Sequence, residues 1–254
     1  MSIDWEERAR AWTRQERELA CDELKPWEYG TIARSYRYPD IYDLNVVVLE
    51  RPCGRTAAEL VALCDRELSD CSHRKLDVED VDEGRRLRPE LEALGWRAMI
   101  LVWMAFEGHM PEDPGLAVEE LPYDSVNALR REWHEEDFPG DDPTSFHSQQ
   151  AELDQRRGAR VLAVRDDGLP VAYSVLQVRA SGAEVAEVCV TRSRRGGGLG
   201  TAVTAAAIRA GLQASSGDLW IVADEEDRAW PLYERLGFRR VWRMMQFLRL
   251  PAGT

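Results

Sequence analysis

Apolar and polar positions follow helical and strand periods by turns along this chain, and the order of those periods already suggests an α/β protein. Residues 3–24 carry a charged helical pattern that stops before Pro26. Residues 27–37 and 41–50 read as strands, broken by Pro39 and Asp40. Residues 56–70 place Leu60, Leu63, Cys64 and Leu68 along one helical face. A short strand at 76–81, a helix at 85–94 closed by Gly95, and a strongly apolar strand at 96–106 complete this half. Beyond a proline-bearing stretch at 108–114, a strand is expected at 116–121 and helices at 123–134 and 144–157. An acidic loop at 135–143 separates the two helices, the second starting near Thr144 or Ser145. Residues 160–164 and 171–178 pair across Asp166, Asp167 and Gly168, where Asp-Gly supplies positive φ.

The third part of the pattern carries the chemistry. Val185, Val188 and Val190 make a β-branched strand that turns after Ser181 and Gly182. It runs through Arg192, Ser193, Arg194 and Arg195 into Gly196, Gly197, Gly198, Leu199 and Gly200, and then into an alanine-rich helix at 201–210. A strand, a basic glycine loop and a helix start in that order form an anion site: glycines admit close approach, and the free N–H groups of the first helical turn point at the ligand. The expected ligand is a phosphate or pyrophosphate. A Walker loop is excluded, because Gly200 precedes Thr201 directly and no lysine is near. A dinucleotide fingerprint is also excluded, because its third small residue falls on Thr201 or Val203.

What fits is Arg195-x-x-Gly198-x-Gly200 after the strand Val188, Cys189, Val190. This resembles the acetyl-CoA pyrophosphate loop of the GNAT superfamily of N-acetyltransferases, Q/R-x-x-G-x-G/A. A strand at 219–223 and a helix at 227–236 closed by Gly237 follow. There Ala229, Leu232, Tyr233, Gly237 and Phe238 resemble the family's second signature, A-x-x-L-Y-x-x-x-G-F. The resemblance implies a mixed, mostly antiparallel sheet flanked by helices, with a last strand or hairpin at 238–250. It implies that Arg195, Gly196, Gly197, Gly198, Leu199, Gly200 and Thr201 hold the CoA pyrophosphate. Val188, Cys189 and Val190 would bond the pantetheine through their backbone, and Tyr233 would protonate the departing thiolate. Glu184 and Glu187 are the candidate bases; strand alternation puts them on opposite faces. Asp137, Asp141 and Asp142 lie in the loop region that shapes the acceptor pocket in such folds. The family's usual asparagine before the second signature is Glu226 or Asp227 here.

The first half echoes the second. The run from Leu91 to Arg97 matches Tyr233 to Arg239 at an offset of 142, an apolar strand following in both. At that offset Gly198 falls on Thr56, Gly200 on Ala58 and Tyr233 on Leu91. The N-terminal half therefore reads as a degenerate GNAT-like repeat without cradle or acid. The expected division is 1–107, a linker at 108–114 and an acetyltransferase domain at 115–254.

Composition narrows the partners. A net charge of −13 argues against nucleic acid or an anionic membrane and suits a cationic acceptor. Five cysteines without metal-type spacing and four dispersed histidines give no zinc site and suggest reduced thiols in a cytoplasm. Residues 1–20 are too charged for a signal peptide. The expected activity is acetyl transfer from acetyl-CoA to a primary amine, small molecule or peptide, by a monomer or homodimer without metal. The rival readings are a non-catalytic acyl-CoA-binding or regulatory module and, against the missing glycine, a nucleotide-dependent oxidoreductase.

Overall fold

The computed structural model describes residues 3–112, 115–137, 142–226 and 229–250. In chain order the elements are α1 (Trp5–Ala20), β1 (Glu23–Trp27), β2 (Gly30–Arg34), β3 (Val46–Leu49), α2 (Ala57–Glu67), β4 (Arg74–Val78), α3 (Val81–Ala93) and β5 (Arg97–Phe106). They continue as β6 (Glu119–Leu121), α4 (Asn127–Asp137), α5 (Thr144–Arg156), β7 (Arg160–Asp166), β8 (Leu169–Arg179) and β9 (Gly182–Val190). The last are α6 (Leu199–Ala214), β10 (Asp218–Asp224), α7 (Trp230–Arg235) and β11 (Phe238–Arg249). Contacts divide the chain into two compact units. The first is Met1–Trp103, Ala223–Asp227 and Val241–Thr254; the second is Met104–Val222 and Arg228–Arg240. Asp113 and Pro114, at the end of the expected linker, lie outside the described residues.

In the first unit the strands run in the order β1-β2-β3-β4-β11. Only β3–β4 is parallel among these pairs; the others are antiparallel. The single strand expected at 27–37 is a hairpin instead. Trp27 pairs with Gly30 across Glu28 and Tyr29, and a Cβ on Gly30 would lie 2.1 Å from the Val48 carbonyl oxygen. Beyond it, the Asp22 carboxylate accepts from the N–H groups of Tyr36 and Arg37, bending the chain away from the ladder. The strand expected at 41–50 begins with a 3-10 turn, Tyr42–Leu44. Asn45 fixes this turn by accepting from Ser35 N and donating to the carbonyls of Tyr38 and Ile41.

Strand alternation gives the β4 sheet layer two unlike faces. Leu76 and Val78 join Val47, Leu49, Met245 and Phe247 in the core beneath α2 and α3. Lys75, Asp77 and Glu79 turn the other way, and all three are buried. There Arg17 of α1 donates to Asp77 at 3.0 Å, Lys75 pairs with Asp43, and Arg10 pairs with Glu79. Charges taken out of water this far persist only because each meets an opposite charge.

The second unit has the strand order β10-β9-β8-β7-β6. Its one parallel pair among these is β9–β10. Asp167 (φ 48°) and Gly168 (φ 81°) turn β7 into β8, as the Asp-Gly pair predicts. Helix α6 covers one face, where Val164, Ala172, Val188, Val190, Ala202 and Val203 form a cluster. Tyr123, Val126 and Leu129, from the turn before α4 and from α4 itself, pack on the other face against Val161, Tyr173, Val175 and Cys189.

Candidate active site

The glycine loop delivers an exposed helix N-terminus. Gly198 is the residue before α6 and has φ 80°, ψ −3°, a left-handed conformation that side chains disfavour. No side chain caps this helix. The first intrahelical bond is Ala202 N to Gly198 O at 3.0 Å, so the N–H groups of Leu199, Gly200 and Thr201 face outward, as the first turn of any helix leaves them. A Cβ added at Gly196 or Gly198 would meet nothing within 4 Å. The surface beside this turn is open enough for a bulky anion. A cavity of about 370 Å³ adjoins it, lined by Thr201, Ala205, His109, Leu236 and Gly237 among others.

The loop is tethered to α4. Glu132 accepts from Thr191 Oγ1 at 2.7 Å and from Arg192 N at 3.1 Å. Glu136, one turn on, accepts two bonds from the Arg195 guanidinium, at 2.8 and 2.7 Å. Arg195 also donates from Nε to the Val190 carbonyl. This arginine thus braces the loop against α4, with its fork already occupied by a carboxylate.

Upstream, β9 does something that alternation does not foresee. Its register with β8 shifts between Val175 and Leu176: Val175 faces Glu187, but Leu176 faces Val185. The extra residue is Ala186, and a bulge of this kind reverses which face later residues present. Ala183 and Val185 before it, and Val188 and Val190 after it, all take the α6 side. Glu184, opposite Gln177, and Glu187, opposite Val175, therefore share the α4–α5 face. The expectation that they point to opposite faces is corrected by this one inserted residue. The pairing of β9 with β10 runs from Gly182/Asp218 to Val185/Ile221 and no further. Beyond that point Glu187, Val188, Cys189 and Val190 form an edge unpaired with β10.

Glu187 sits at the start of this edge and is the accessible tip of a buried polar network. Its Oε1 accepts from Arg130 Nη2 at 2.6 Å and its Oε2 from the Tyr173 hydroxyl at 2.9 Å. The Arg130 side chain is 3% exposed, that of Glu187 28%. Behind Arg130, at 3.8 Å, lies Asp154, which accepts from Tyr123 at 2.6 Å and from Gln150 and Gln177 at 3.0 Å each. Desolvation pushes the Glu187 carboxyl above its ordinary range, and Arg130 draws it back in part. Burial likewise raises Tyr123 and Tyr173, and lifts the Cys189 thiol to about 12. Sequence reading missed this network, which draws on α4, α5, β8, β9 and the Tyr123–Val126 turn. Its one local signal is that Arg130 and His134 follow Val126 at i+4 and i+8, so polar residues occupy a buried helical stripe.

The remaining candidates fall as follows. Tyr233 lies in α7, 5% exposed, with its ring edge-on to Phe238 at 6.4 Å between centroids. Asp142 accepts from Thr144 N and Oγ1 just ahead of α5, which begins at Thr144 as expected, with Pro143 at its N-cap. Asp141, Asp227 and the Asp137 side chain lie outside the described residues. Glu226 is exposed, its N–H donating to Asp224. His147 is held down to about 4 by desolvation first and then by its neighbour His134. Among the described residues no three His, Cys, Asp or Glu side chains are grouped to hold a metal ion, and no helix is long and apolar enough to cross a membrane. None of the five cysteines forms a disulfide.

Comparison with known proteins meets this geometry at the same residues. Residues 127–238 match the model of the acetyltransferase (GNAT) family. No curated protein matches the chain. Among solved structures, the fold is similar to that of a functionally unknown conserved protein from Staphylococcus epidermidis. That likeness has a TM-score of 0.71 at 15% identity and covers 91% of this chain and 94% of that one. A GCN5-related N-acetyltransferase from Kribbella flavida is similar at TM-score 0.59 and 19% identity, over 99% and 98% of the two chains. One from Sphaerobacter thermophilus is similar at 0.54 and 19%, over 76% and 67%. Residues 127–238, which carry the glycine loop and the parting strands, are thus similar along their length to the GNAT acetyltransferase family.

Proposed function

We propose that this protein transfers an acetyl group from acetyl-CoA to a primary amine by direct attack within a ternary complex. The observation that carries the reading is the uncapped N-terminus of α6, set by Gly198, beside the β9 edge that departs from β10 after Val185. The outward N–H groups of Leu199, Gly200 and Thr201, with Gly196 and Gly197 admitting close approach, suit a pyrophosphate. The free edge at Val188, Cys189 and Val190 suits an extended amide-bearing arm, bound as an added strand would be. Acetyl-CoA supplies an activated thioester, so the protein needs mainly to position the reactants and handle two protons.

Glu187 takes the first of them. A lysine-like amine, with a pKa near 10.4, arrives protonated, and a carboxylate raised by burial is a better acceptor than one at 4.3. Glu187 stands where β9 leaves β10, whereas Glu184 lies within the paired stretch, opposite Trp220. Tyr233 gives the second proton to the departing thiolate. Two carboxylates on one face of an acidic protein suit a cationic acceptor.

The test is thiol release from acetyl-CoA across a library of primary amines, with mass spectrometry of the products. Turnover with at least one amine, and a mass gain of one acetyl group on it, is expected. CoA binding without thiol release from any amine would instead establish a non-catalytic acyl-CoA-binding module.

A further inference from the structure

We infer that Arg130, Tyr173 and Asp154 are positioning residues that hold the Glu187 carboxyl in one orientation and set the pH at which it accepts a proton. The inference rests on the reading of Glu187 as the base and adds three residues that touch neither reactant.

The geometry is one-sided. Each Glu187 oxygen receives one donor, Arg130 at 2.6 Å and Tyr173 at 2.9 Å, which leaves each a lone pair for an incoming N–H. Arg130 in turn lies between two carboxylates, with Glu187 at 2.6 Å and Asp154 at 3.8 Å. Asp154 is 1% exposed and receives three donors, from Tyr123, Gln150 and Gln177. Two carboxylates then share one guanidinium, and Glu187, the more exposed of the two, is the one an incoming amine can reach. The titratable and charged groups facing Glu187 are Arg130 from α4, Asp154 from α5, Tyr123 from the preceding turn, Tyr173 from β8 and Cys189 from its own strand. Both tyrosines and the cysteine are held neutral by burial, so Asp154 and Arg130 supply the charge.

The proton step balances simply. The ammonium N–H bond breaks, its electron pair stays on nitrogen, and the proton forms an O–H bond on a Glu187 oxygen. The Asp154 charge makes that uptake more favourable; Arg130 and the Tyr173 hydroxyl make it less so and fix where the oxygens point.

The predicted shifts therefore have opposite signs. Asp154→Asn removes a negative charge, so the Glu187 pKa falls. Tyr173→Phe keeps the ring and removes a donor to the ionised form, so the pKa rises. The experiment is a titration of the full chain by NMR of ¹³C-labelled glutamate carboxyls, with the Glu187 signal assigned by its loss in Glu187→Gln. It needs neither acetyl-CoA nor a known acceptor. Movement down in Asp154→Asn and up in Tyr173→Phe supports the inference; no movement in either, or movement of both in one direction, overturns it. Should Asp154→Asn fail to fold, Tyr173→Phe decides alone: an upward shift supports the inference and no shift overturns it. The base reading is tested separately. The acid limb of kcat/KM with the best amine is expected to disappear in Glu187→Gln, and a limb that survives unchanged refutes Glu187 as base whatever the titration shows.

Discussion

The two halves of the chain repeat a succession of strand, helix, strand, helix and strand at an offset of 142 residues, and the helix that follows the first strand differs at its N-terminus. Helix α2 starts at Ala57 and α6 at Leu199; α3 ends at Ala93 and α7 at Arg235, each pair 142 residues apart. Gly95 and Gly237, at the same spacing, both have positive φ. Yet α2 begins with a capping box in which Thr56 accepts from Glu59 N, and the Glu59 carboxylate accepts from Thr56 N. Just upstream, Glu83 accepts from Cys53 N at 3.2 Å. In the first unit the chain thus satisfies its own donors, Glu59 N with the Thr56 hydroxyl and Thr56 N and Cys53 N with carboxylates. In the second, Gly198 stands in place of Thr56 and Thr201 in place of Glu59, and no side chain caps the helix. The same succession of elements therefore begins with a side-chain cap in one half and, in the other, with the uncapped helix start proposed above to hold the CoA pyrophosphate.

The strongest way to break this contrast is to close the open site. Gly197 has an ordinary φ, and a Cβ there would come no nearer than 3.5 Å to the Arg194 carbonyl. Gly197→Asp should fold normally yet set a negative charge beside the cradle. Calorimetry with a CoA analogue should give about one site per chain for the wild type and a more than 100-fold loss in the variant, the scale of several lost phosphate contacts. A wild-type stoichiometry near two would show that α2 binds as well, and the contrast would fail.

A second effect sharpens it at the acid. The position of Tyr233 corresponds to Leu91, which is fully buried in the first unit's core. Tyr233→Phe should keep KM and lower kcat by about 10²-fold, as a lost general acid does. Undiminished turnover under chemistry-limited conditions would make Tyr233 a core aromatic like its counterpart.

Acid should stress the two units unequally. His73, 1% exposed, donates from Nε2 to the Asn45 carbonyl, and burial lowers its pKa to about 4. A folded pKa below the unfolded 6.5 contributes stability above pH 6.5 that is lost as pH falls towards 4, about 2 kcal/mol by pH 5. His73→Gln should flatten the fall in urea midpoint between pH 7 and 5. His147→Gln, at a more accessible site in the second unit, should flatten it less. Equal slopes in wild type and His73→Gln would remove His73 as the cause.

The smallest expected effect lies at the closed cap. Thr56→Ala deletes one side of the capping box and should cost about 1 kcal/mol in the urea midpoint, leaving CoA affinity as it was. A change in affinity would tie the first unit to the ligand after all.

Much of this was legible because it is written locally. The glycine loop, the helix after it, the Asp-Gly hairpin and the recurrence at 142 residues each depend on neighbours in sequence, and periodicity with glycine placement is enough to find them. The hairpin at Trp27 and Gly30 escaped because no Asn-Gly or Asp-Gly marks it; β3 makes room for it through the Val48 carbonyl. Arg195 was legible as part of a basic loop, but not as a brace, because Glu136 lies 59 residues away.

What the sequence by itself determined is the kind of most elements and the glycine loop that leaves a helix start uncapped, since backbone freedom and helix starts are properties of adjacent residues. Tertiary structure alone decided which carboxylate stands at the open edge and what surrounds it. One inserted residue, Ala186, brings Glu184 and Glu187 to the same face, because side-chain direction in a strand depends on its register with the next. The proton affinity of Glu187 is raised first by desolvation and then adjusted by Arg130, Asp154 and Tyr173, brought together from three other elements by packing, and no spacing along the chain encodes that meeting.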